Sequence, residues 1–323
     1  ALIGQVMKFS IAIMVMLVLA QISPVFYLRS APWLFGLGIV FLILVLAFGP
    51  EINGSKRWLR IPGVAGFQPS EVMKLVVPLM LAWYFHDRHL PPRIKHVFWA
   101  LVMILVPVLL IAIQPDLGTS LVIGAAGLLV VFLAGIHWRN VIAASIAMLV
   151  SAPALWFVLK DYQKQRILML WDPERDPLGA GWNIIQSKTA IGSGGLFGKG
   201  LFQGTQSHLD FLPESQTDFI IAVLAEELGL FGIVILLILY MLLIGRGLII
   251  SVQAQDTFGR LLGGSITFTF FVYVFVNIAM VSGVLPVVGI PLPLVSHGGT
   301  SIVTIFAGFG ILMSIHTHRR IML

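Results

Sequence analysis

One carboxylate stands where a long apolar segment begins. In FLPESQTDFIIAVLAEELG, residues 211–229, a polar stretch ends at Asp218 and an apolar run follows. A carboxylate at the start of a helix is stabilised by the positive end of the helix dipole. Facing a water-filled cleft, it can accept a proton from a hydroxyl. The same residues also suit a structural role. Ser215 as N-cap with Asp218 at the third helical position makes a capping box. The two roles are compatible. Glu226 and Glu227 lie in the same apolar run. A charge deep in a bilayer costs about 2.5 kcal/mol or more, so both must face protein or water. Glu226 is about 80° from Asp218 around a helix, and Glu227 points nearly opposite Asp218. Structural hydrogen bonding is the expectation for both.

A second set lies in FQPSEVMK, residues 67–74, where Pro69 and Ser70 mark a helix start. Glu71 and Lys74 are three apart, the spacing of an ion pair on one helix face. Lysine binds phosphate as a point charge. IQPDLGTS, residues 113–120, puts Asp116 at the tip of a very tight hairpin, and turn chemistry explains it as well as function does. Arg57 and Trp58 suit a membrane interface. A carboxylate base, a cation and polar loops on one membrane face would serve a lipid-anchored, phosphate-bearing substrate. They would serve a transporter vestibule equally, and these residues do not choose.

Other chemistries are excluded by spacing. GSGGLFGKG, residues 192–200, is not a phosphate loop, because Ser193 stands where its first glycine should be and Gly200 where Ser or Thr should follow Lys199. It is expected to form mobile turns. There is no HExxH and no His or Asp spacing suited to zinc. His316, His318, Arg319 and Arg320 read as a basic interfacial tail. Ser70 and Lys74 are one residue too far apart for an SxxK nucleophile, and there is no cysteine.

The elements that position these groups follow from composition. The 323 residues are 58% hydrophobic and 11% charged, with a mean hydropathy of +0.99. Soluble domains carry about 25% charged residues. The solvent of this chain must be largely lipid. Nine stretches are long and apolar enough to span: 1–22, 31–49, 70–86, 97–114, 117–135, 140–159, 218–246, 260–285 and 296–315. No alternating pattern of a β-barrel appears. If the spans alternate, Arg29, Arg88, Arg93, Lys95, Arg139, Arg246, Arg260, Arg319 and Arg320 share one side. Only Lys56, Arg57 and Arg60 lie in the short connections of the other. The positive-inside rule makes the first side cytoplasmic, with the C-terminus inside and the N-terminus outside. No separate cleavable signal peptide is read at the start. The net charge of +6 reflects this bias and a basic outer loop, and implies no nucleic acid.

The outer connections are the elaborate ones. Residues 160–217 form a 58-residue loop, in which 182–191 is expected to be a short amphipathic surface helix. Glycines from 192 onward argue against regular structure after it. Residues 49–71 are polar and turn-rich, and 284–299 are apolar and proline-rich. Non-helical backbone of that kind must be packed in protein or line a cavity. A site is therefore expected on the outer face.

GFQPSE, QPDLGTS, WDPERDPLGAGW, AIGSGGLFGKG, FLPESQTDFIIAVLAEELG, GVLPVVGIPLPLVSHGG and SIHTHR together resemble the SEDS family (shape, elongation, division and sporulation) along essentially the whole chain. The rod-shape branch is closer than the division branch. The resemblance implies an all-α polytopic membrane protein. The family has ten helices, and this chain is similar to helices two to ten. A single domain, 1–323, would carry one large extracytoplasmic loop. The resemblance further implies a peptidoglycan glycosyltransferase of cell elongation, polymerising lipid II at the outer face of the cytoplasmic membrane. Its partners would be a class B penicillin-binding protein, a transpeptidase, and other membrane proteins of the elongation complex. The essential family Asp falls on Asp218, and the family's Glu and Lys fall on Glu71 and Lys74. Substrate contacts are expected from Lys74, Glu71, Arg57, Asp116, Gln68, Ser70, Lys188, Ser296 and Gly298. No particular cofactor is implied; the cation at the leaving group could be Lys74, Arg57 or a divalent Mg or Mn ion. Gln216 stands where the family often has His, and His297 where it often has Tyr. A lipid II flippase, or a non-catalytic scaffold of the elongation complex, are the alternatives. A flippase predicts polar sites open to both faces, whereas the elaboration here is on one.

Overall fold

A chain with this little charge can keep its main-chain polar groups from lipid only by pairing them internally, and helices do so within a single segment. The computed structural model describes residues 2–51, 55–59, 66–158, 164–165, 168–169, 181–205, 217–297 and 300–318. Among these residues the architecture is all-helical, and its only bridge of β type joins Leu59 to Phe67. The long helices are α1 (Leu2–Gln21), α2 (Pro24–Phe48), α3 (Pro69–His86), α4 (Ile94–Ile113), α5 (Leu117–Leu133) and α6 (Trp138–Val158). The short α7 (Trp182–Gly194) follows, then α8 (Ile220–Val252), α9 (Thr257–Val281) and α10 (Thr300–Thr317). By length and composition six of them can cross a membrane: α1, α2, α4, α8, α9 and α10. The chain is a multi-pass membrane protein.

Helix starts follow local chemistry. Both α2 and α3 open on a proline in the first turn, where a missing N–H costs nothing. The span expected at 31–49 starts late: the helix begins at Pro24 and runs through Pro32. Arg29 therefore lies on α2 itself. Asp116 caps α5, its Oδ1 accepting from Thr119 N at 3.2 Å.

The chain divides into two compact units, 1–136 with 243–272 and 298–323, and 137–242 with 273–297. In the first unit α3 is central. It packs on α2, α4, α5 and α10, and 14 of its 18 residues are buried. That position explains why α3 carries Glu71 and Lys74: it faces protein, not lipid. The α1–α10 pair is close because Gly310 lets the main chain of Met16 approach, and Ser314 Oγ donates to Ile22 O at 2.5 Å. In the second unit α7 docks on the end of α9 through Ser187 Oγ, which donates to Val281 O at 2.9 Å. Helix α8 is broken at Gly229 (φ 67°, ψ −168°). The expected helix at 182–191 is present but continues through two glycines to Gly194.

Candidate active site

In the first unit the hairpin between α4 and α5 meets the start of α3. Gln68 Nε2 donates to Ser70 Oγ at 3.1 Å and to Asp116 Oδ2 at 3.2 Å, so one side chain joins the two tips. Asp116 thus serves both Thr119 N and Gln68. Arg57 Nη2 donates to Pro115 O, which ties the connection between α2 and α3 to the same hairpin. Lys74 Nζ lies 2.6 Å from Glu71 Oε1 in the expected i,i+3 pair. The pair is not on a solvated face: the two side chains are 6% and 9% exposed. Five predicted residues, Gln68, Ser70, Glu71, Lys74 and Asp116, are buried together at these helix ends, with Arg57 reaching in from the loop. Glu71 Oε2 and Arg57 Nε are buried without a hydrogen-bond partner. One is an acceptor and the other a donor, and buried polar atoms of this kind are costly to leave unpaired.

The second unit holds Asp218. It lies in the turn 217–219, just before α8 begins at Ile220. The capping-box reading is therefore corrected: Asp218 precedes the helix and is not its third residue, while Ser215 lies outside the described residues. Its main chain is held from two directions. Asn277 Nδ2 donates to Asp218 O at 2.9 Å and to Ile290 O at 2.7 Å. Ser296 Oγ donates to Thr217 O at 2.5 Å and accepts from Leu292 N at 2.7 Å. Tyr240 Oη donates to Pro293 O at 2.6 Å, holding the same last outer loop. Gly289 (φ 75°) comes so close that a Cβ there would stand 3.4 Å from Asp218 Oδ2. The Asp218 side chain is half-buried.

Asn277 is the residue that sequence reasoning missed. Its signal was available: a lone Asn inside the apolar run TFFVYVFVNIAMV. A polar side chain within such a helix faces protein and marks a site. Both atoms that Nδ2 meets are carbonyls, which fixes the amide orientation without ambiguity.

The structure shows what two further predicted contacts touch, and a third lies outside the described residues. Ser296 acts on the main chain of Thr217 and Leu292. Lys188 is exposed on α7, and its Cε runs where a Cβ on Gly283 would be, 2.4 Å away. Gly298 lies outside the described residues. Glu226 is fully buried and serves structure, as expected. Its Oε1 accepts from Lys199 Nζ at 2.7 Å, Thr205 N at 2.8 Å and Thr205 Oγ1 at 3.0 Å. Among the described residues, no three His, Cys, Asp or Glu side chains gather as metal ligands.

The sequence model of the FtsW, RodA and SpoVE cell cycle proteins matches residues 1–321. The chain belongs to this family. Within the SEDS family it is 56% identical, over 321 residues, to the peptidoglycan glycosyltransferase MrdB of Escherichia coli K12, covering 99% of this chain and 86% of that protein. It is 36% identical over 293 residues to a probable peptidoglycan glycosyltransferase FtsW of Geobacter sulfurreducens, covering 89% and 77%. Its fold is similar to that of a chain from a solved peptidoglycan synthase complex that coordinates polymerisation and crosslinking. That match has a TM-score of 0.85 at 33% identity, covering 98% of this chain and 90% of that one. The rod-shape-determining protein RodA of Thermus thermophilus matches with a TM-score of 0.73 at 30% identity, covering 98% and 88%.

Proposed function

We infer that this SEDS chain is a peptidoglycan glycosyltransferase whose general base is Asp218. Membership of the family and 56% identity to a peptidoglycan glycosyltransferase over 99% of the chain support the activity. The observation that carries the base is the seat of Asp218. Its main chain is fixed by Asn277, that of Thr217 by Ser296, and its half-buried carboxylate lies beside Gly289, a residue without a side chain. A base must be held still and yet be reachable.

In the proposed reaction Asp218 takes the proton from the GlcNAc 4-hydroxyl of an incoming lipid II. That oxygen attacks the anomeric carbon of the lipid-linked MurNAc. The bond to undecaprenyl pyrophosphate breaks, and inversion converts an α-linked donor into a β-1,4 link. The leaving group needs no proton, so one carboxylate suffices where most glycosidases use two. Negative charge grows on the pyrophosphate, and a cation lowers that barrier. The family resemblance makes Lys74 the candidate for that cation. The reaction is placed at the outer face because the basic connections lie on the opposite side and the long loop and Asp218 do not. A class B transpeptidase is the proposed partner, supported by the likeness to a chain of a synthase complex that also crosslinks.

The test is polymerisation of purified lipid II, with any copurifying transpeptidase inactivated. Asp218→Asn keeps size and cannot accept the proton. A loss of about 10²- to 10⁴-fold in turnover is expected, the usual contribution of acid–base catalysis. Parent-level glycan synthesis by the folded variant would eliminate the assignment.

A further inference from the structure

The turn after α7 sorts its polar and apolar atoms in opposite directions. Its main chain is spent on α8. Leu230 N donates to Gly195 O and Phe231 N to Leu196 O, both at 3.0 Å. In return Lys199 N donates to Glu226 O at 2.9 Å and Gly200 N to Glu227 O at 3.0 Å. Inside the turn Gly198 N meets Gly194 O at 2.8 Å and Gln203 N meets Gly200 O at 3.1 Å. The fit admits no side chain: a Cβ on Gly198 would stand 2.1 Å from Glu227 O. The large apolar side chains are left outside. Leu196, Phe197, Leu201 and Phe202 are 64%, 81%, 62% and 81% exposed.

Helix α8 gives the depth at which this happens. Between Glu227 and Arg246 there is no charged residue. From Leu230, where the helix resumes after the break at Gly229, to Arg246 is sixteen steps of about 1.5 Å, roughly 24 Å, against a hydrocarbon thickness of about 30 Å. The break at Gly229 therefore falls near one edge of the hydrocarbon and Arg246 near the other. Leu230 and Phe231, themselves exposed, lie just inside the first edge. The turn is hydrogen-bonded to these two residues. Non-helical backbone survives at that depth only if its polar groups are satisfied by protein, and the bonds to α8 meet that condition.

We propose that the turn 195–203 is a membrane anchor, inserted into the leaflet in which α8 begins. Leu196, Phe197, Leu201 and Phe202 occupy the boundary between headgroups and acyl chains, continuous with the lipid-facing Leu230 and Phe231. Lys199 stays paired with buried Glu226 and so adds no unpaired charge to the inserted surface. The anchor ties the turn and the α8 residues bonded to it to the bilayer surface, and it stands whether or not Asp218 is the base.

The chain has no cysteine, which makes the test direct. Single substitutions Leu196→Cys, Phe197→Cys and Phe202→Cys are spin-labelled in the full chain, in nanodiscs of phosphatidylethanolamine and phosphatidylglycerol. Glu51→Cys, exposed and charged in the parent, is the aqueous reference. Leu239→Cys, exposed in the middle of α8, is the lipid reference. Power saturation with oxygen and with a water-soluble nickel chelate reads the depth. The expected result is an oxygen-to-nickel accessibility ratio between the two references at all three sites. Nickel access equal to that at Glu51→Cys overturns the anchor. So does exclusion of both reagents, which means that a second copy or a partner chain covers the turn. The three side chains pack on little, so each label reports without depending on the others.

Discussion

The Glu71–Lys74 pair is a charge pair taken out of water, and its consequences are those of buried ions. Removing one partner leaves an uncompensated charge and costs about 3–5 kcal/mol, whereas replacing both with apolar or neutral groups can be nearly free. Glu71→Gln and Lys74→Met are each expected to lower the melting temperature strongly. The double variant should lose less than the sum of the two. If Lys74 also serves the leaving pyrophosphate, the double variant recovers stability but not polymerisation, and recovery of both would remove that role. Asn277 is of another kind. Its amide joins Asp218 O to Ile290 O across 59 and 13 residues of chain. Asn277→Leu keeps the volume and strands two carbonyls, each worth about 1–3 kcal/mol when buried and unmet. Turnover is expected to fall with KM for lipid II little changed, and Asn277→Ser, which keeps one donor, should fall less. Equal loss in both variants, tracking only the folded fraction, would mean that Asn277 holds the fold and not the base.

At the scale of elements, α8 is two helical pieces joined at Gly229. Its φ and ψ lie in a region that essentially only glycine occupies, where other residues are strained by about 1–3 kcal/mol. A Cβ there would also meet Gly198 N at 2.3 Å. Gly229→Ala is therefore expected to destabilise by at least that strain, read as a lower midpoint of thermal unfolding in detergent. Gly245→Ala, on the same helix and with open space around its Cβ, is the control and should be neutral or stabilising. Equal behaviour of the two would show that the break is not held by the turn. In GSGGLFGKG, Gly194 and Gly198 make room for the main chain of α8: a Cβ there would stand 2.0 Å from Ala225 O and 2.1 Å from Glu227 O.

At the scale of the molecule, the basic residues decide which way the helices run. Arg88, Arg93, Lys95, Arg139, Arg246 and Arg260 fall at helix ends or connections on the side assigned to the cytoplasm. Glu51 follows α2 and Gln255 precedes α9, and both are exposed. In intact spheroplasts, Glu51→Cys should react with an impermeant maleimide and Gln255→Cys should not. Gln255→Cys should react after permeabilisation. The reverse pattern would put Asp218 on the cytoplasmic side and end the proposed reaction with an outer-leaflet substrate.

Features set by neighbours in the chain were legible from the amino-acid sequence alone. Low charge and long apolar runs required helices in lipid. Proline at 69 and Asp at 116 required helix starts, and spacing of three put Glu71 against Lys74. Each rests on an interaction within one turn of helix, so local physics is sufficient. The start of α2 was placed at 31 because Arg29 reads as part of a connection, although the helix runs from Pro24 and carries it. What tertiary structure alone decided are contacts made across the chain. Gln68 meets Asp116 at a separation of 48 residues, Arg57 meets Pro115 at 58, and Ser296 meets Thr217 at 79. Nothing in the types of these residues names their partners. A hydroxyl, an amide or a guanidinium has several possible acceptors, and only the packing of the helices brings one of them within hydrogen-bond reach.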